Sequence, residues 1–186
     1  NLTKTLMAST ALTLAAGMSY GQEMADEMTI VSWGGAYSNS QIKAYNEPYA
    51  EKTGVNIIND ESSAEAVAKL RAMNEAGNVT WDVVDVTAAD SFRLCDEGLA
   101  MEIDFDEQLA AGDDGSTPTD DFGDTLINDC FIPQIVFSTT FGYRTDLVGD
   151  TPPTSVCDVF DTEAYPGKRS LEKRPIGNME WALLCD

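Results

Sequence analysis

MTIVSWGGAYSNSQIKAYNEPYAEKTGVNII, Met28 to Ile58, is the stretch on which the fold turns. Met28 to Ser32 is a short β-rich run that breaks at Trp33-Gly34-Gly35. From Ser38 to Lys52, Ile42, Tyr45, Tyr49 and Ala50 recur at the spacing of one helical face. Ser38 is placed to cap that helix and Thr53-Gly54 to stop it. Val55 to Ile58 reads as a second strand. The alternation continues outward: Ser63 to Glu75 carries a helical stripe through Ala66, Val67, Leu70 and Met73, and Gly77 ends it. WDVVDV, Trp81 to Val86, is a third strand, and Asp90 to Gly98 a short helix closed by its glycine. This β-α-β-α-β order predicts an α/β fold, a parallel sheet covered by helices on both faces. Ligands of such sheets bind beyond the carboxyl ends of the strands. Trp33 to Tyr37 follows the first strand and Thr87-Ala88-Ala89-Asp90 the third, so both loops fall on that edge.

The bulk composition narrows the function. The chain has 186 residues, enough for one domain with a core, or one lobe plus part of another. With 32 acidic against 11 basic residues its net charge is −21, which repels nucleic acid and anionic membrane and keeps the protein soluble. Histidine is absent. That removes Ser-His-Asp and Cys-His nucleophile systems, His-bearing zinc sites and the commonest general base near neutral pH. No metal site or cofactor is expected. Asp104 to Asp124 is acidic, but without the carboxylate spacing and glycine of a calcium loop it reads as a solvated surface excursion.

Residues 1–21 read as a secretory signal peptide: Lys4, then an apolar run from Leu6 to Met18, then Ser19-Tyr20-Gly21 as a cleavage site. The apolar run is too short to span a bilayer. Export to an oxidising compartment favours disulfides between Cys95, Cys130, Cys157 and Cys185, which contain no CxxC pair and allow three connectivities. Further along, Ile132 to Thr140 is β-rich, Thr151-Pro152-Pro153 is a rigid turn, and Val156 to Phe160 is a short helix. Pro166 to Leu171 reads as a turn into a strand, and Asn178 to Leu184 starts another helix. The sequence stops at Asp186 within that helical pattern and is expected to be the front part of a longer protein.

Four stretches, SWGGAY (Ser32–Tyr37), WDVVDVTAAD (Trp81–Asp90), FSTTFGYRTD (Phe137–Asp146) and YPGKRSL (Tyr165–Leu171), resemble in order and spacing the extracellular solute-binding proteins of the spermidine/putrescine type. The resemblance implies a periplasmic-binding-protein-like fold of two α/β lobes with a hinge. On that analogy residues 22–142 are lobe one, 143–150 the hinge or crossover, and 151–186 an incomplete start of lobe two. With each disulfide kept inside a lobe, the preferred pairing is Cys95–Cys130 and Cys157–Cys185. It further implies a monomeric, periplasmic, non-catalytic protein that captures a small amine-bearing solute and delivers it to an ABC permease in the inner membrane. Trp33 and Tyr37 match the family's aromatic pair, which holds methylene chains and favours cations, and Gly34-Gly35 let backbone approach the ligand. Thr87 matches a hydroxyl-bearing position, while Ala89 stands where the family has another aromatic. Asp85 and Asp90 flank that loop as acceptors for an ammonium group, and Asp90 equally suits helix capping. Where the family's second lobe brings acidic contacts, this chain has Lys173-Arg174-Pro175-Ile176-Gly177, and Arg174 suits a ligand carboxylate or phosphate. The other readings are a receptor's sensor domain and a periplasmic enzyme built on a carboxylate pair such as Asp82 and Asp85.

Overall fold

The computed structural model describes residues 25–186. The expected signal peptide lies outside the described residues. Three strands, β1 (Glu27–Val31), β2 (Asn56–Asp60) and β3 (Val83–Val84), form one parallel sheet in the order β2-β1-β3. Register pairs Val31 with Asp60 on one side and with Val84 on the other. The central strand ends on Val31, which is fully buried. The expected β-α-β-α-β succession is thus the observed one, with the middle of the sheet coming first in the chain.

The helices differ from expectation in ways the local chemistry explains. Helix α1 (Gly35–Gln41) starts three residues before Ser38, and Gly34 is its N-cap with φ +87°. Ser38 is therefore not the cap. It is buried in the first turns, and its Oγ accepts the Gly34 N–H at 2.7 Å. A π-helical turn (Ile42–Asn46) joins α1 to α2 (Glu47–Thr53). Pro48 has no N–H to return to the carbonyl of residue 44, and its ring crowds that carbonyl; the widened turn lies where the ladder would break. Gly54 stops α2 in the left-handed conformation, its N–H bonded to the Ala50 carbonyl at 2.8 Å.

A 3₁₀ turn (Ser63–Glu65) leads into α3 (Ala66–Glu75), which buries Ala66 and Leu70. Helix α4 (Ala88–Asp96) buries Ser91 and Leu94. Arg71 on α3 and Glu97 at the end of α4 form a bidentate ion pair. The hydrogen-bonded charge partner lowers the Glu97 pKa and raises that of Arg71. β3 is shorter than the six residues expected. Asp82 explains its beginning: its carboxylate accepts the Thr29 N–H at 2.8 Å, where a strand backbone would otherwise have paired.

Residues 104–124, expected as loop, contain short helices α5 (Phe105–Gln108) and α6 (Pro118–Phe122). Asp104 and Thr117 cap them through the N–H groups of Glu107 and Asp120. The chain divides into two compact units between Pro133 and Gln134. In the second unit a 3₁₀ turn (Val156–Val159) and helix α7 (Asn178–Leu184) are the regular elements among the described residues. The β-rich residues 132–140 and the segment after Pro166 form no strand, a correction to the expectation above. β-propensity is expressed only against a partner. No neighbouring strand pairs with them here, and Val136 and Phe137 are 93% and 67% exposed. Arg169 donates to the carbonyls of Val159, Asp161 and Gly167, a structural role that holds the turn together. Disulfides join Cys95 to Cys130 in the first unit and Cys157 to Cys185 in the second. No helix among the described residues is long and apolar enough to cross a membrane.

Candidate functional site

The carboxyl ends of β1 and β3 bring together seven of the eight residues singled out from the sequence: Trp33, Gly34, Gly35, Tyr37, Asp85, Thr87 and Asp90. Trp33 and Tyr37 are half-buried and Gly35 is exposed. Tyr37 donates its hydroxyl to Asp85 Oδ2 at 2.7 Å, and Gln41 Nε2 donates to the same oxygen at 2.9 Å. Ser32 donates its hydroxyl to Gln41 Oε1. Ser63 donates its own to the Asp85 carbonyl. The backbone closes the same corner: Asp85 N–H bonds to Val31 O, Ser32 N–H to Asp60 O, and Ser63 N–H to Ser32 O.

Gln41, Ser32 and Ser63 were not singled out from the sequence. A signal was present, because Tyr37 and Gln41 stand four apart on one helix and so reach the same strand end. Glu61 was also passed over. It follows β2 on this edge, and its Oε2 would lie 3.0 Å from a Cβ at Gly34, a space that the glycine leaves to the carboxylate.

Thr87 caps α4, its Oγ1 accepting the Asp90 N–H at 3.3 Å and donating to Asp90 Oδ2 at 3.1 Å. Asp90 also faces Arg93 at 3.6 Å. Asp82 and Asp85, the carboxylate pair given as an example for the enzyme reading, are each engaged in holding backbone or neighbouring side chains. Arg174 belongs to the second unit, where it pairs with Glu172 at 2.7 Å. Beneath the loop a cavity bordered by Ile30, Ser32, Ser38, Gln41, Asn46 and Asn59 encloses only about 10 Å³, too little for a solute. Any ligand of this edge sits on it rather than under it. Among the described residues no three carboxylate or thiol side chains converge as a metal site requires.

Residues 42–186 match the family described as bacterial extracellular solute-binding protein. The chain belongs to that family. Its members bind solutes and are not catalytic, and they work outside the cytoplasm, here in the periplasm. The γ-aminobutyric acid-binding protein of Pseudomonas aeruginosa is 32% identical over 165 residues, which are 89% of this chain and 44% of that protein. The PBP MotA from A. tumefaciens B6, solved in complex with glucopine, is 29% identical with a TM-score of 0.71, over 86% of this chain and 46% of that one. An ABC transporter substrate-binding protein from Bradyrhizobium japonicum USDA 110 is 26% identical with a TM-score of 0.60, over 87% and 47%. The chain thus spans about half the length of these solute-binding proteins. Its fold is the periplasmic-binding-protein-like α/β fold, which has two lobes.

Proposed function

We propose that this chain is the front part of the substrate-binding component of an ABC importer. It captures a small, polar, amine-bearing solute in the periplasm and, as a monomer, delivers it to a permease in the inner membrane. The observation that carries this reading is the aromatic-glycine loop, residues 33–37, at the carboxyl end of the central strand, with Asp85, Thr87 and Asp90 on the same edge. Trp33 and Tyr37 supply ring faces for a cation and its methylene chain, while Gly34 and Gly35 offer backbone at close range. Asp85 and Asp90 make the potential there negative. Within this class, the similarity to a protein named for γ-aminobutyric acid favours a solute with both an ammonium and a carboxylate group over a polyamine. Arg174, in the second unit, is the residue whose chemistry suits that carboxylate.

A thermal-shift screen of the chain against γ-aminobutyric acid, putrescine, spermidine, succinate and phosphate tests the proposal. Ligand at a hundred times its Kd stabilises by about 2.7 kcal/mol, a shift of several degrees. Amine-bearing solutes are expected to give it, and Trp33→Ala to weaken it at least tenfold. A shift with succinate or phosphate and none with any amine would sink the amine reading.

A further inference from the structure

We infer that Gln41 is the positioning residue of the binding loop: it sets Asp85, and through Asp85 the Tyr37 ring. The inference rests on the solute-binding reading above and names the side chain by which the edge keeps its shape before a ligand arrives. Gln41 is buried, and its carboxamide is used at both ends, as acceptor from Ser32 at the end of β1 and as donor to Asp85 at the end of β3. It is itself the last residue of α1, which begins in the loop. One planar group therefore fixes the distance between two strand ends and the helix that carries Tyr37. Ser63, after β2, adds the third strand end through the Asp85 carbonyl.

At neutral pH, with glutamate ionised, no other side chain of this length carries both a donor and an acceptor on one uncharged planar group. A leucine of similar size leaves the Asp85 carboxylate and the Ser32 hydroxyl without the bonds Gln41 gives them, and buried polar groups left so are costly. A carboxylate in its place loses the donor and faces Asp85 directly. The charged groups around the position are Asp60 and Glu61 from the β2 side and Asp85 from β3, with the Tyr37 phenol from α1 itself. The three carboxylates are negative and the phenol is neutral, so a carboxyl introduced there retains its proton to higher pH than a lone one. Protonated, it again offers one donor and one acceptor in the same plane.

Gln41→Glu is therefore a variant with a built-in rescue. γ-Aminobutyric acid keeps one ammonium and one carboxylate between pH 5.5 and 8.5, so its own charge does not change across the test. Its Kd for the unaltered protein is expected to stay within about twofold over that range, because neither ligand group titrates there. In Gln41→Glu it is expected to weaken about tenfold or more at pH 8.5 and return to within about threefold of the parent at pH 5.5. Hydrogen exchange at the amides of residues 33–37, corrected for intrinsic rates and measured without ligand, should follow the same profile, and Gln41→Leu should be open at both pH values. Binding and exchange in Gln41→Glu equal to the parent throughout, or altered equally at both pH values, overturn the inference. If the unaltered protein does not bind γ-aminobutyric acid, that ligand reading fails, and the exchange profile alone decides the role of Gln41.

Discussion

Gly34 is the residue at which strand becomes helix, and its φ of +87° is open to glycine and costly for any other residue. Replacing it with alanine should destabilise the first unit by about 1–2 kcal/mol, read as a lower denaturation midpoint at unchanged slope. The added methyl also reaches the Glu61 carboxylate, which is the end of a flexible side chain and can swing aside. The conformational term should therefore dominate, and Gly34→Ala/Glu61→Ala should be no more stable than Gly34→Ala alone by more than a few tenths of a kcal/mol. At this scale the sequence was partly legible. Trp33, Gly34, Gly35 and Tyr37 announce a loop because aromatic and glycine residues interrupt a strand. Ser32 announces nothing and Gln41 only its place four residues after Tyr37 on one helix, because a buried polar pair looks in sequence like two surface residues.

Among elements, α4 is the clearest case of a helix begun by one side chain. Thr87 satisfies the Asp90 N–H, and Thr87→Ala should cost about 1 kcal/mol while Thr87→Ser keeps most of it, measured by chemical denaturation. The 3₁₀ turn of the second unit depends on a carboxylate. Asp158 accepts the N–H groups of Thr154 and Ser155, and those bonds hold its pKa below the ordinary carboxylate range. The folded state therefore binds its proton less readily than the unfolded chain. Its stabilising effect is complete above the unfolded value near 4 and is lost as pH falls through the folded value. Acid unfolding of Asp158→Asn, followed by circular dichroism below pH 4, should show a smaller drop in stability per pH unit than the parent. Element order was legible because helical periodicity reports burial and glycines such as Gly54, Gly77 and Gly98 mark where helices end. The π turn was not, since Pro48 acts four residues away from where it sits. Nor was the failure of residues 132–140 to form a strand, because β-propensity carries no information about whether a neighbour exists.

For the whole molecule, net charge and covalent topology dominate. A chain at −21 repels itself, and that repulsion is screened within a Debye length of about 8 Å at physiological salt. Raising sodium chloride from about 10 mM to 0.5 M should raise the Tm by several degrees, and a Tm that falls would show that the ion pairs outweigh the repulsion. The two disulfides close segments 35 and 28 residues apart. In the chain-entropy model each is worth roughly 3–4 kcal/mol, a larger share of the stability of the smaller second unit. Reduction should therefore raise hydrogen exchange in residues 134–186 before residues 25–133.

The placement of those disulfides has a further consequence. All four cysteines are consumed within units, so a single peptide passage is the whole covalent connection across Pro133 and Gln134. Just beyond it the backbone carries Ile135, Val136 and Phe137, all exposed. A chymotryptic cut after Phe137 should split the chain into two fragments that separate on a denaturing gel run without reductant. A cut inside either disulfide-closed segment should release nothing until the disulfide is reduced.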